Sequence, residues 1–213
     1  MKTYLFIIKF FGIIILLFSI PSQAQQQFGI YFGLGACKEG NSLISTRFKT
    51  GFEAGAFYPI EIAKHFDVRV LAGYKLRGFK DEVTDMYGSP DETANINYNL
   101  LTLGPDLLFP FLERKEKVYL LAGVRGNYLM STTGSFAGVE ADTQSYAEML
   151  DRLQLEISGG IGCEMQSGLI LEAIISGNCL NKGNKNVESD FKAYDLYFGV
   201  TVGYQIPLRS SQK

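Results

Sequence analysis

Apolar and polar residues alternate without a break over residues 193–208, near the end of the chain. A period of two residues is that of a β-strand with one apolar face. Tyr194 and Tyr204 lie on the apolar face, and ten residues at about 3.3 Å each, tilted by about 40°, span about 25 Å of height. This is the height of the apolar band on a membrane barrel, whereas strands of soluble sheets average about five or six residues. The pattern predicts a transmembrane strand with both tyrosines in an aromatic girdle.

Seven earlier segments repeat this alternation and predict seven more strands. Eight is an even number, as expected for a barrel closed by a single bacterial chain. Pro105 interrupts the fourth segment and predicts a β-bulge there. The seven segments are residues 28–37, 48–60, 67–78, 96–111, 118–130, 152–165 and 169–179.

The connections between the predicted strands alternate in length. In chain order they have 10, 6, 17, 6, 21, 3 and 13 residues, so every odd-numbered connection is longer than every even-numbered one. Outer-membrane barrels have short periplasmic turns and longer extracellular loops. The sequence therefore predicts an all-β, eight-stranded, antiparallel up-and-down transmembrane barrel whose chain enters from the periplasm.

The second face of the predicted strands carries the charged residues. An eight-stranded barrel is just wide enough to be filled by its own side chains, so these charges predict an ion-pair network that plugs the lumen. The alternative is a soluble periplasmic barrel or sandwich, whose outward face would carry more lysine and less glycine. The predicted lumen network comprises Glu53, Arg69, Lys75, Arg77, Asp106, Arg125, Glu156, Glu164, Glu172 and Asp195.

Residues 1–24 have the features of a cleaved signal peptide. Lys2 and Lys9 are the only charges there, residues 10–20 form an apolar core, and small residues precede the expected cut after Ala24. The alternative, an uncleaved anchor helix, is disfavoured because the apolar run is short for a membrane span. Cleavage leaves residues 25–213 as one barrel domain, with 18 bases against 22 acids. That charge balance excludes nucleic acid as a partner.

Four segments carry a resemblance to a known family: GFEAGAFYPI, YLLAGVRGNYLMS, LEISGGIGCEM and YFGVTVGYQIPL. With the signal segment, they resemble the Bacteroidota outer-membrane β-barrel domain proteins, the PorT-like group. The resemblance covers the whole mature chain and implies an eight-stranded outer-membrane barrel, often without an assigned activity. One member of similar build serves the secretion system of gliding bacteria. The family brings no catalytic residues with it, so none is expected here.

Residue types that often carry chemistry are sparse. His65, the only histidine, lies in a predicted periplasmic turn, where a solvated role is expected. Cys37, Cys163 and Cys179 show no paired spacing, and alternation points Cys37 inward and Cys179 outward, which disfavours a disulfide between them. No cofactor or catalytic residue is therefore expected.

Two loops offer weaker candidates. The second long loop holds Asp81, Glu82, Asp85, Asp91 and Glu92, which match no calcium-loop template, so no metal site is expected. The third long loop has apolar residues at helical spacing, which predict packing over the barrel mouth or a surface helix for a partner. These residues are Tyr146, Met149, Leu150 and Leu153.

Three functions fit the predicted barrel. The preferred one is a non-enzymatic structural, scaffolding or secretion-associated protein of the bacterial outer membrane, with membrane lipid and another envelope protein as its partners. The first alternative is a surface recognition or adhesion barrel that binds a ligand through its long extracellular loops. The second alternative, ranked last, is a membrane-embedded lipid or peptide hydrolase.

Overall fold

The structure is a computed structural model that describes residues 27–41, 46–63, 66–83, 92–113, 115–136, 139–140, 150–179 and 193–207. The chain divides into two compact units, and the described residues belong to the unit Gln27–Ile206, apart from Pro207 in the other unit. The predicted signal peptide, His65 and residues 209–213 lie outside the described residues.

The described residues form eight long strands, whose alternating sequences are reflected in alternating burial. Two strands of two residues, Thr46–Arg47 and Val139–Glu140, flank the third and fifth long strands. Among the described residues, no helix is long and apolar enough to cross a membrane. The long strands are β1 (Gln27–Asn41), β2 (Lys49–Ala63), β3 (Phe66–Val83), β4 (Glu92–Glu113), β5 (Lys117–Phe136), β6 (Leu153–Glu164), β7 (Leu169–Asn178) and β8 (Ala193–Pro207).

The eight strands close into a barrel. Each strand from β1 to β7 pairs antiparallel with the strand that follows it in the chain. β8 lies next to β1, which completes the ring. The predicted eight-stranded antiparallel up-and-down barrel is confirmed. A closed sheet leaves no strand edge without hydrogen-bond partners, which is the requirement for a sheet in lipid.

The two ends of the barrel differ in their connections, as the sequence predicts. Residues 64–65, 114–116 and 165–168 join strands at one end, which we call the turn rim. Residues 42–48, 84–91, 137–152 and 179–192 join strands at the other end, the long-loop rim. Every connection at the long-loop rim is longer than every connection at the turn rim, which fixes the direction of each strand along the barrel.

The predicted bulge at Pro105 is wrong. Between β4 and β5 the register is the same on both sides of this residue, since Leu103 faces Gly126 and Asp106 faces Gly123. Proline removes one ladder N–H but adds no residue, so the pairing resumes in the same register. The two irregularities between these strands lie at Asn99/Leu100 and at Pro110/Leu112.

Three neighbouring strands are the longest of the eight and exceed the length of a membrane span by the largest margin. A transmembrane β-strand needs about 9–11 residues, whereas β3, β4 and β5 have 18, 22 and 20. Their pairing continues at the long-loop rim to Val83 opposite Glu92 and to Ala94 opposite Phe136. This side of the barrel therefore continues as a paired sheet towards the long loops, beyond the strand ends that alternation alone predicts.

Close backbone approach makes Gly78 on β3 a sensitive position. A Cβ atom there would lie 1.9 Å from the Ile96 carbonyl oxygen, whereas at Gly126 the nearest atom would be 3.7 Å away. We expect Gly78→Ala to lower the free energy of unfolding by about 1–3 kcal/mol because two strands must move apart. The matched variant Gly126→Ala is expected to stay within about 0.5 kcal/mol of wild type. Urea unfolding in lipid vesicles measures both, and equal stabilities of the two variants would contradict the observed packing.

Candidate functional site in the barrel lumen

The two faces of the barrel wall differ sharply in polarity. Large apolar side chains cover the outer face, where Val200 is 58% exposed and Leu120 52% exposed. On the inner face Lys75, Asp106 and Glu156 are completely buried. A charged side chain that is removed from water needs an opposite charge or a hydrogen-bond partner beside it. The inner face is therefore the candidate site.

In the half nearer the turn rim, two arginines link three carboxylates. Arg69 on β3 contacts Glu172 on β7 at 2.7 Å (Nη1 to Oε1) and Asp106 on β4 at 2.8 Å (Nη2 to Oδ2). Arg125 on β5 contacts the same Asp106 at 3.1 Å (Nη2 to Oδ2). Its Nη1 lies 3.7 Å from Oε2 of Glu53 on β2, which carries the chain of ion pairs towards the other half.

In the half nearer the long-loop rim, the alternation of sign continues. Lys75 Nζ lies 3.6 Å from Glu53 Oε2 and 2.8 Å from Glu156 Oε1. Arg77 Nη1 then contacts Glu156 Oε2 at 3.2 Å and Asp195 Oδ2 at 3.9 Å. The result is one continuous series of ion pairs along the barrel, with five carboxylates alternating with four cations.

Nine of the ten lumen residues proposed from the sequence join this series, and Glu164 does not. It lies at the turn-rim end of β6, where it is partly exposed. Its partner in the strand ladder, Lys117, forms an ion pair with Asp67 on β3 instead. Asp67 has the same inward parity as Arg69, so alternation within the predicted strand would have found it.

Neutral side chains complete the network, and most were missed from the sequence. The Tyr119 hydroxyl donates to Glu172 at 2.6 Å, and the Asn127 amide donates to Glu156 at 2.9 Å. The guanidinium of Arg77 donates to the Ser176 hydroxyl at 3.0 Å. Each of these hydrogen bonds has an ionised partner, which makes it stronger than a hydrogen bond between two neutral groups. The alternation of inward and outward residues along each strand is the sequence signal that identifies these side chains.

A further buried carboxylate, Glu39, lies on β1 beyond the predicted strand end at Cys37. It is completely buried, and the Tyr98 hydroxyl donates to it at 2.5 Å. Its inward orientation follows the parity of Cys37, which is 1% exposed. The residue was missed because the predicted strand stopped two residues too early.

Apolar side chains close the lumen on both sides of the charges. The cavity beside Tyr31, Glu53 and Arg69 holds only about 10 Å³, which is about the volume required by one water. Around these residues the lumen is therefore filled by side chains rather than open to solutes. The cluster near the long-loop rim is Phe79, Tyr98, Leu100, Leu129 and Leu150, and the clusters nearer the turn rim are Phe57, Leu71 and Ile170, with Leu108, Tyr119 and Leu121.

The third long loop supplies Leu150, which is 2% exposed within the first of these clusters. The burial of this one residue agrees with packing over the barrel mouth, and for the rest of the segment that packing stays a prediction. Leu153, by contrast, begins β6 and is 61% exposed. Tyr146 and Met149 lie outside the described residues.

The remaining candidates from the sequence form no site. Cys37, Cys163 and Cys179 are free thiols. Three or more possible metal ligands do not gather anywhere in the described ranges. In the acidic loop, Asp85 and Asp91 and the side chains of Asp81, Glu82 and Glu92 lie outside what the structure describes. Tyr194 and Tyr204 are exposed on the outer face, and their membership of an aromatic girdle stays a prediction.

Comparison with known proteins shows what fold this is. No family model matches the sequence, and no curated protein sequence matches it. Neisserial surface protein A (NspA) is similar in structure at 15% identity and a TM-score of 0.50, over 83% of this chain and 96% of that one. The outer-membrane protein OprG from Pseudomonas aeruginosa has 12% identity and a TM-score of 0.48, over 86% and 97%. The outer-membrane enzyme PagL has 16% and 0.46, over 84% and 99%.

At these identities the likeness establishes the fold alone. The chain has the fold of the bacterial outer-membrane β-barrels, and the apolar outer face is the surface that such a barrel presents to lipid. Fold, apolar exterior and charged interior together are those of an outer-membrane protein. They leave the activity to be argued from the site itself.

Arg125 joins the two halves of the ion-pair series, which makes it the position to test. We expect Arg125→Leu to lower the free energy of unfolding by about 3–5 kcal/mol and the melting temperature with it, because Asp106 and Glu53 lose a buried cation. Thermal and urea unfolding of the purified barrel measure both quantities. An unchanged melting temperature would contradict the plugged lumen.

Two controls separate this ion-pair effect from a general effect of substitution. Arg152→Leu removes an arginine from an exposed position and is expected to change stability by less than about 0.5 kcal/mol. The double variant Arg125→Leu with Asp106→Asn is expected to lose less stability than the two single variants combined. The coupling between them should be about 0.5–3 kcal/mol.

Proposed function

We propose that this protein is a non-enzymatic outer-membrane barrel that serves as a structural or scaffolding component, associated with secretion. The filled lumen carries the proposal, because a barrel whose interior is occupied by ion pairs and apolar clusters has no route for solutes. Its function is then exerted by surfaces that contact lipid and other envelope proteins.

The assignment to the PorT-like group of Bacteroidota belongs to the same proposal. It is supported by the four sequence segments that resemble that group, which fall in β2, β5, β6 and β8. A secretion-associated role follows from that resemblance, and the plugged lumen is compatible with it because a scaffold does not conduct its cargo through its own interior.

A second candidate function is recognition of a ligand outside the cell through the long loops. The observation that favours it is the extension of β3, β4 and β5 at the long-loop rim. There the strands stay paired beyond the ends that alternation predicts. A sheet that continues towards the long loops fixes the points at which those loops begin and end, and such preorganisation reduces the entropy lost when a partner binds.

A hydrolase is the least supported function. Nucleophilic catalysis needs a nucleophile within hydrogen-bond reach of a base. The described lumen carboxylates instead contact cations, as Glu156 does with Lys75 and Arg77. Hydrolysis of lipid or peptide substrates by purified protein would overturn the non-enzymatic proposal.

Reconstitution into planar bilayers tests the filled lumen directly. We expect no stepwise conductance above that of protein-free membranes, because the cavity among the lumen charges is about the size of one water. Steady ion conductance through the wild-type barrel would contradict the proposal, provided that heat-denatured protein at the same concentration shows none.

Crosslinking in intact cells separates the two non-enzymatic functions. A photo-reactive residue at Lys115, which is exposed at the turn rim, is expected to capture an envelope protein if the barrel is a scaffold. The matched position at the long-loop rim is Arg152, also exposed. Capture at Arg152 of a partner added from outside, with none at Lys115, would favour recognition instead.

A further inference from the structure

Three cations cluster on the outer face at one point of the long-loop rim. Lys38 lies between the buried residues Cys37 and Glu39 in β1, so its side chain points outward. Arg47 and Lys80 are exposed and face each other across a strand pair. The Lys38 ammonium lies 5.8 Å from the ring centroid of Phe48, the residue after Arg47. We call Lys38, Arg47 and Lys80 the basic patch.

The basic patch sits at the edge of the apolar band. In β1 the outward residues before Lys38 are Leu34 and Ala36, and Leu34 is 53% exposed. On β5 the exposed outer residues towards the same rim are Met130, Ser131 and Thr133, which carry no charge. Cations are thus concentrated on the β1–β3 side, where the apolar surface meets the headgroup region of the membrane.

An apolar groove lies beside the patch on the same outer face. It is a shallow, open groove of about 650 Å³ that crosses β1, β8, β7, β6 and β5. Its floor is low because glycine and alanine line it, and its lining includes Leu34, Ala173, Ile175, Phe198 and Val200.

Two contacts connect the groove to the basic patch. The rings of Phe48 and Phe198 lie 6.5 Å apart, and Phe48 also lies beneath the Lys38 ammonium. Leu34 precedes Lys38 by four residues in β1, which is about 13 Å along the strand. Positive charge and an apolar groove therefore adjoin each other, one at the membrane edge and the other within the apolar band.

We propose that this face binds one lipid molecule with a phosphate-bearing headgroup. The phosphate contacts Lys38, Arg47 and Lys80, and an acyl chain lies in the groove along Leu34 and Phe198. Only an anionic amphiphile contacts both parts of the site, since a soluble anion makes no contact with the groove and an uncharged lipid gains no attraction from the basic patch. The inference rests on the membrane-embedded barrel and is independent of whether the protein scaffolds or recognises.

Native mass spectrometry of the full barrel in a non-ionic detergent provides the test. Phosphatidic acid and diacylglycerol with identical acyl chains are the two probes, which differ only in the phosphate. We expect wild type to retain one phosphatidic acid and to bind diacylglycerol at least about tenfold more weakly, since each cation near a membrane surface strengthens the binding of anionic lipid.

The charge variant Lys38→Gln, Arg47→Gln and Lys80→Gln in one chain is expected to bind phosphatidic acid at least about tenfold more weakly than wild type. Arg152→Gln is the matched control, an exposed arginine of the same rim next to Asp151, and it should bind like wild type. Equal binding by the charge variant and wild type, or an equal loss in the control, overturns the proposal.

The groove is tested by Ala173→Phe, which keeps the outer face apolar while filling the floor of the groove. We expect it to weaken phosphatidic acid binding while the melting temperature of the barrel stays unchanged. Wild-type binding by this variant overturns the assignment of the acyl chain to the groove. A mass increment equal to a second copy of the chain, in place of lipid, identifies the face as a dimer interface and also overturns the proposal.

Discussion

The absence of water within a membrane is the constraint on which the rest of this structure depends. Backbone groups in hydrocarbon must find partners within the protein, and eight paired strands provide them through closure. Charged side chains face the same requirement, so they turn inward and alternate in sign from Glu172 to Asp195. Closure satisfies the backbone groups, and ion pairing in the lumen satisfies the charged side chains. The ion pairing depends on closure, because only a closed wall creates a lumen.

The narrow lumen explains why glycines adjoin the charges. A Cβ on Gly123 would lie 2.2 Å from Oδ1 of Asp106, and one on Gly33 would lie 2.9 Å from Cγ of Glu53. Side chains at these inward positions would displace two carboxylates on which Arg125 depends. Small residues on one strand therefore provide the space in which long charged residues from the opposite strands meet, at the packing density of a protein interior.

Alternation predicted the strands and the face of each charge because the strand period is fixed at two residues. It did not predict which charges meet, since Arg77 and Glu156 are 79 residues apart and come together only through the closure and register of the barrel. Nor did it predict the ends of β3 to β5, because polar residues such as Asn95 continue β4 beyond the alternating segment that begins at Ile96. The alternation of inward and outward residues also places Glu39 and Asp67 in the lumen. Asp67 lies within a predicted strand, whereas Glu39 lies beyond the predicted end of β1 at Cys37.

A filled interior supports the proposal that this protein acts through its exterior. A barrel that conducted solutes would need continuous water between Glu172 and Asp195, and the apolar clusters around Leu71 and Leu100 prevent it. The exterior is not uniform, because β3 to β5 extend at the long-loop rim while β6 and β7 have only 12 and 10 residues. Under the proposed functions a protein partner would meet the long side, whereas the apolar groove lies on the outer face around the shorter strands β6 and β7. The ion pairs inside link strands around the whole wall, so they support the structure on which both surfaces lie.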